Sequence, residues 1–119
     1  MTDILLIEDN EDNWISMSIL LESGGFKVSV AKTGESGVEK AISDLPDLIL
    51  LDVQLPDIDG FQVLERLNGN TVTMNIPVIA VTSSAMAGDR VKLLAAGCVA
   101  YIEKPINPMK IVDQIKAAL

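Results

Sequence analysis

The sequence predicts an α/β domain, a doubly wound five-stranded parallel sheet with helices on both faces. Three observations predict it. The runs Ile4 to Ile7, Leu48 to Leu51 and Val78 to Val81 are apolar without alternation, as strands buried on both faces are. Strand-like and helix-like stretches alternate five times, the pattern of parallel strands joined by helical crossovers. A composition of 49% hydrophobic but only 3% aromatic residues describes an aliphatic interior.

The first strand ends on Glu8 and Asp9, two acids directly beyond a buried run. Asn10, Glu11, Asp12 and Asn13 then open a helix, where acids suit the positive end of the helix dipole, and Gly24 and Gly25 stop it. This helix has too many apolar residues for one stripe. With Met17, Leu20 and Leu21 turned to the sheet, Trp14, Ile15 and Ile19 are left partly exposed. From Phe26 to Ala31 apolar and polar residues alternate, as in an edge strand wet on one side. Thr33 can cap a second helix, whose inward row is Val38, Ala41, Ile42 and Leu45.

The central strand, bounded by Pro46 and Pro56, ends on Asp52. A loop of turn residues from Leu55 to Gly60 leads into a helix with Phe61, Val63, Leu64 and Leu67 facing inward, closed by Asn68, Gly69 and Asn70. Pro77 opens the fourth strand, which runs into Thr82, Ser83 and Ser84. A short helix from about Ala85 to Ala96 stops at Gly97. The fifth strand is Val99 to Ile102, followed by Glu103, Lys104 and Pro105, and the last helix uses Ile111, Val112, Ile115 and Leu119. At 119 residues the sequence is expected to form one domain, 1–119, without repeat or linker, its last helix being expected to leave no room for an appended effector domain.

Composition excludes several functions. A net charge of −8 with nine scattered Lys and Arg makes no basic stripe for nucleic acid. No apolar run approaches a membrane span, and Met1, Thr2 and Asp3 lack the positive start of a signal peptide. Cys98 is alone, which rules out an internal disulfide; it is expected as a small buried residue in a cytoplasmic protein. The absence of histidine removes Ser-His-Asp and Cys-His catalysis and any His-ligated metal.

An open sheet of strand order 2-1-3-4-5 binds ligands at the carboxyl ends of its strands, at the switch point between strands one and three. That rim collects Glu8, Asp9, Asp52, Thr82 and Lys104. Taken singly, each is an ordinary cap or turn residue. Together, three carboxylates repel and need a proton or a cation. Mg²⁺ suits an open site of a few carboxylates better than Ca²⁺, which would want more protein oxygens, and Mn²⁺ would fit nearly as well. Asp52 then becomes a nucleophile toward phosphorus, with Lys104 and the Thr82 hydroxyl placed to neutralise the phosphoryl oxygens.

Over its whole length the sequence resembles the receiver domains of two-component response regulators, which have a flavodoxin-like fold. The resemblance rests on Glu8-Asp9, on Asp52 within Asp52-Val53-Gln54-Leu55-Pro56, on Pro56 to Gly60, on Thr82, and on Tyr101 with Lys104-Pro105. The Glu8-Asp9-Asn10 opening and the segment after Asp52 look most like stand-alone receivers of the DivK type and the receivers of hybrid histidine kinases.

The resemblance implies that Asp52 takes a phosphoryl group from a phosphohistidine on a histidine kinase or histidine phosphotransfer protein. It implies that Asp9, Asp52 and the Gln54 carbonyl bind Mg²⁺, with Glu8 acting mainly through water. Lys104 would contact the phosphate, Thr82 would close on it and Tyr101 would turn inward, changing the face of the fourth helix, fifth strand and fifth helix that meets a downstream protein. It also implies a cis Lys104–Pro105 peptide and a donor-docking patch on the first helix at Trp14, Ile15 and Ile19. Gln54 and Ser84, where such proteins tune phosphate lifetime, are neither acid nor base, so self-hydrolysis is expected not to be especially fast.

Two other functions fit less well. A phosphatase using Asp52 as nucleophile would carry a second Asp two residues on, where Gln54 stands. A flavin-binding domain would need a Gly- or Ser/Thr-rich phosphate loop where Glu8 and Asp9 would repel phosphate.

Overall fold

The computed structural model describes residues 2–83 and 87–119. Strands β1 (Asp3–Ile7), β2 (Lys27–Ala31), β3 (Leu48–Asp52), β4 (Val78–Thr82) and β5 (Ala100–Glu103) alternate with helices α1 (Glu11–Ser23), α2 (Gly34–Asp44), α3 (Gly60–Asn68), α4 (Ala87–Ala95) and α5 (Ile111–Ala118). The strands form one parallel sheet ordered β2-β1-β3-β4-β5.

The unbroken apolar runs follow from packing on both faces. Leu5, Ile7, Ile49 and Leu51 point to a core shared with Val38 and Ala41 of α2, Val63, Leu64 and Leu67 of α3, and Leu93 of α4. Their neighbours Ile4, Leu6, Leu48 and Leu50 point the other way, against Met17 and Leu21 of α1 and Ile111 and Ile115 of α5. Every residue of β3 is buried, including Asp52 at its end. Burying each aliphatic side chain from Leu48 to Leu51 contributes about 1.5–3 kcal/mol, so the centre of the sheet is also a rigid place from which to hold a functional group.

Caps fix where the helices begin. The Asn10 side chain accepts from the Asn13 N–H at the start of α1. Thr33 caps α2 in a reciprocal arrangement with Ser36, and Asp59 caps α3 in the same way with Gln62.

Several expectations need correction. Ile42 and Leu45 are exposed, because the face α2 buries is Gly34, Gly37, Val38 and Ala41, with Gly34 against Ile58 and Val63 and Gly37 against Ile7. Leu119 is exposed beyond α5, and Val99 precedes β5 and is exposed. β2 is the edge strand expected, yet Val28, Ser29 and Val30 are all half-buried, since the strand is covered on one face by α1 and on the other by α2. Cys98 is buried as expected, and burial pushes its thiol up to about 11, so it is an unreactive thiol at neutral pH. The expected start of the fourth helix at Ala85, and Ser84, lie outside the described residues.

Gly37 is where α2 comes closest to β1. A Cβ there would stand 2.5 Å from Ile7 Cδ1 and 2.8 Å from Cγ1, and Ile7 is fully buried with nowhere to move. Gly37→Ala is expected to lower stability by about 1–3 kcal/mol, read as a lower urea midpoint at unchanged slope.

Candidate functional site

The carboxyl ends of β1, β3, β4 and β5 converge at one rim of the sheet. Glu8 and Asp9 follow β1, Asp52 ends β3, Thr82 ends β4 and Lys104 follows β5. Main-chain hydrogen bonds hold these positions: Glu8 N–H donates to Ala31 O at 3.0 Å, Val53 N–H to Val81 O at 3.2 Å and Lys104 N–H to Thr82 O at 2.8 Å. The Lys104–Pro105 peptide is cis, as the resemblance implied.

Glu8 and Asp52 are 4% and 5% exposed, an unusual depth for carboxyl groups. Asp9 is exposed beside them, and carboxylate oxygens of the three lie within 4.8 Å of one another. Lys104 Nζ bridges the buried pair, 3.3 Å from Glu8 Oε1 and 3.4 Å from Asp52 Oδ2. The Gln54 N–H donates to Asp52 Oδ1 at 3.0 Å, which orients the second oxygen of that carboxylate.

One ammonium against three carboxylates leaves the cluster short of positive charge. Glu8 shows the result: burial first, then the adjoining Asp52 carboxylate, raises its pKa, and Lys104 only partly opposes this. A compact group of carboxylate oxygens at an open rim is the donor set a hard divalent cation takes, so Glu8, Asp9 and Asp52 fit Mg²⁺.

The structure thus gathers Glu8, Asp9, Asp52 and Lys104, with Thr82 buried at the end of the next strand. Tyr101 lies three residues before Lys104 on β5, half-buried against the core, with the Arg90 guanidinium 5.1 Å from its ring centre. Ile15 and Ile19 share an exposed face of α1, 39% and 65% accessible. Trp14, next to Ile15 in α1, is half-buried against the core with Lys32 Nζ 5.2 Å from its ring centre. A cleft of about 570 Å³ opens from Glu8, Asp52 and Lys104 between α1 and the segment 105–108, walled by Met17, Leu20 and Ile106.

Sequence reasoning missed the capping role of Asp59, although the spacing to Gln62 is the signal of a capping box. It also gave no partner to Asp57, whose carboxylate reaches across to α2. No local spacing reveals a contact 23 residues away.

Residues 4–116 match the family model described as response regulator receiver domain. The chain belongs to that family. This receiver is 38% identical over 116 residues to the polar-differentiation response regulator DivK of Brucella ovis, covering 98% of the chain and 94% of that protein. It superposes on a CheY-like receiver domain protein from Methanospirillum hungatei JF-1 with a TM-score of 0.90 at 32% identity, covering 98% of this chain and 92% of that one. It also superposes on the receiver domain of the sensor histidine kinase PA1611 from Pseudomonas aeruginosa PAO1, with a TM-score of 0.91, 31% identity, and 98% and 96% of the two chains covered. That structure has a magnesium ion coordinated in its active-site cleft. The protein is accordingly a phosphorylatable signalling switch of two-component systems rather than a conventional enzyme.

The Glu8 shift has a measurable sign. The folded receiver binds the Glu8 proton more tightly than the unfolded chain, so the stability Glu8 contributes is full below its ordinary value of 4.5 and is lost as pH rises through the raised value. In metal-free buffer, urea midpoints of the native protein should therefore fall relative to those of Glu8→Gln as pH is raised from below 4.5 toward neutrality. A difference that stays flat, or runs the other way, contradicts the account of the cluster.

Proposed function

We propose that Asp52 accepts a phosphoryl group from a phosphohistidine on a histidine kinase or histidine phosphotransfer protein, and that this receiver then signals to a downstream protein in the cytoplasm. The observation that carries the reading is the ionic bridge from Lys104 to the buried Glu8 and Asp52 at the end of the central strand.

An Asp52 carboxylate oxygen attacks phosphorus in line, the nitrogen–phosphorus bond of the donor breaks, and the imidazole leaves with that electron pair. Glu8, Asp9, Asp52 and the Gln54 carbonyl would hold Mg²⁺, which supplies positive charge for the equatorial phosphoryl oxygens when bound. Mn²⁺ would serve nearly as well. Lys104, already 3.4 Å from Asp52, moves from carboxylate to phosphoryl oxygen as the acyl phosphate forms. The Thr82 hydroxyl closes on the same group, and Tyr101 turns inward behind it, which alters the face formed by α4, β5 and α5.

The donor approaches along α1. Ile15 and Ile19 are large, apolar and exposed on the helix that walls the cleft leading to Asp52, the position a docking patch for a helical donor needs. Trp14 borders that patch from its half-buried position. The tuning position Gln54 carries no acid or base to activate a hydrolytic water, which supports self-hydrolysis that is not especially fast.

Incubation with acetyl phosphate and Mg²⁺ should add the mass of one phosphoryl group to the native protein and none to Asp52→Asn. Labelling that persists in Asp52→Asn overturns the assignment of the acceptor. In a second comparison, Ile19→Ala should slow transfer from a phosphohistidine donor by about tenfold, the effect of losing a contact worth about 1.4 kcal/mol, and leave labelling by acetyl phosphate unchanged. Equal slowing with both donors contradicts docking at α1.

A further inference from the structure

The loop between β3 and α3 holds one charged group that the phosphoryl chemistry leaves unused. Asp57 extends its carboxylate across to the start of α2, where Oδ1 accepts from Gly34 N–H at 2.8 Å and Oδ2 from Glu35 N–H at 2.9 Å. Both amides belong to the first turn of that helix and have no acceptor within it. The two hydrogen bonds and the positive end of the helix dipole favour the ionised carboxylate, whose pKa is lowered to about 2 chiefly by the Glu35 amide.

The neighbouring residue adds an apolar contact at the same place. A Cβ on Gly34 would lie 2.5 Å from Ile58 Cγ1 and 3.0 Å from Val63 Cγ2, so the missing side chain is what lets the loop seat against α2. The far end of the loop is closed by Gly60 N–H donating to Val53 O at 2.9 Å, where a Cβ on Gly60 would come within 2.8 Å of Val53 Cα. The near end grips the acceptor itself through Gln54 N–H and Asp52 Oδ1. Among the described residues, Asp57 supplies the side-chain hydrogen bonds that tie this loop to a helix other than its own.

We propose that Asp57 is a positioning residue for phosphoryl transfer: by clamping the loop to the start of α2 it holds the Gln54 main chain against Asp52 and keeps the acceptor carboxylate aimed at Lys104. The clamp rests on the reading of Asp52 as the acceptor. It acts at a distance, since Asp57 touches neither Asp52 nor Lys104 through any hydrogen bond of the described residues, and an error of an ångström in the loop reaches the reacting oxygen through Gln54.

The test compares the native chain with Asp57→Ala and Thr33→Ala. Thr33 Oγ1 caps the same helix by accepting from Ser36 N–H at 3.1 Å, so its loss weakens α2 and leaves the loop clamped. Rates of labelling by acetyl phosphate at saturating Mg²⁺ are read by mass spectrometry, with folding of each variant checked by circular dichroism and urea unfolding. Asp57→Ala is expected to be labelled about tenfold more slowly, and Thr33→Ala within about twofold of the native rate. A native rate in Asp57→Ala overturns the clamp, as does equal slowing in Thr33→Ala, which would reduce the effect to helix stability. A native chain that takes no label overturns the reading of Asp52 and the clamp with it; a labelled native chain matched by Asp57→Ala removes the clamp alone.

Discussion

Two carboxyl groups under one ammonium are the constraint that the rest of this structure serves. Glu8 and Asp52 are almost wholly removed from water, and Lys104 lies within 3.4 Å of an oxygen of each. A buried carboxylate without a partner costs several kcal/mol, and one ammonium cannot neutralise two carboxylates and the exposed Asp9 beside them. The site is therefore stable enough to persist and unbalanced enough to bind: it favours a proton, a divalent cation or a group that draws charge away from Asp52. A receiver that responds to phosphorylation needs that imbalance, because a fully satisfied cluster would have no reason to rearrange.

The fold maintains the imbalance by rigidity. β1, β3 and β4 are apolar on both sides, so their ends are held by two separate cores and cannot drift toward solvent to relieve the charge. Lys104 is held in turn by its main-chain bond to Thr82, which fixes the end of β5 against the end of β4. The chemistry itself is left to side chains and to the loop after Asp52. That loop is tethered at Gln54, Asp57 and Gly60 rather than by its own secondary structure.

Much of this was legible in the sequence because buried parallel strands announce themselves. A run such as Leu48 to Leu51 has one structural solution, and topology then sends Asp9, Asp52, Thr82 and Lys104 to the same rim. What periodicity could not give was the end of each packed face. Ile42 and Leu45 keep the helical spacing of α2 but lie outside the face it buries, and Leu119 is likewise exposed after α5. Small residues made the opposite error: Gly34 and Gly37 carry no hydrophobic signal, yet they are where α2 comes closest to its neighbours. The Asp57 contact was invisible for a third reason, since it joins a loop to the start of a helix 23 residues earlier that only the assembled fold brings together.

The central claim concerns charge, and it is tested most directly by asking whether a divalent cation stabilises the folded chain through these carboxylates. Urea midpoints would be measured with and without millimolar Mg²⁺, ionic strength being matched with a monovalent salt, for the native protein and for the double substitution Asp9→Asn with Asp52→Asn. The account predicts that Mg²⁺ raises the native midpoint and leaves that of the double variant where it was. A native midpoint indifferent to Mg²⁺, or an equal rise in both proteins, would contradict it.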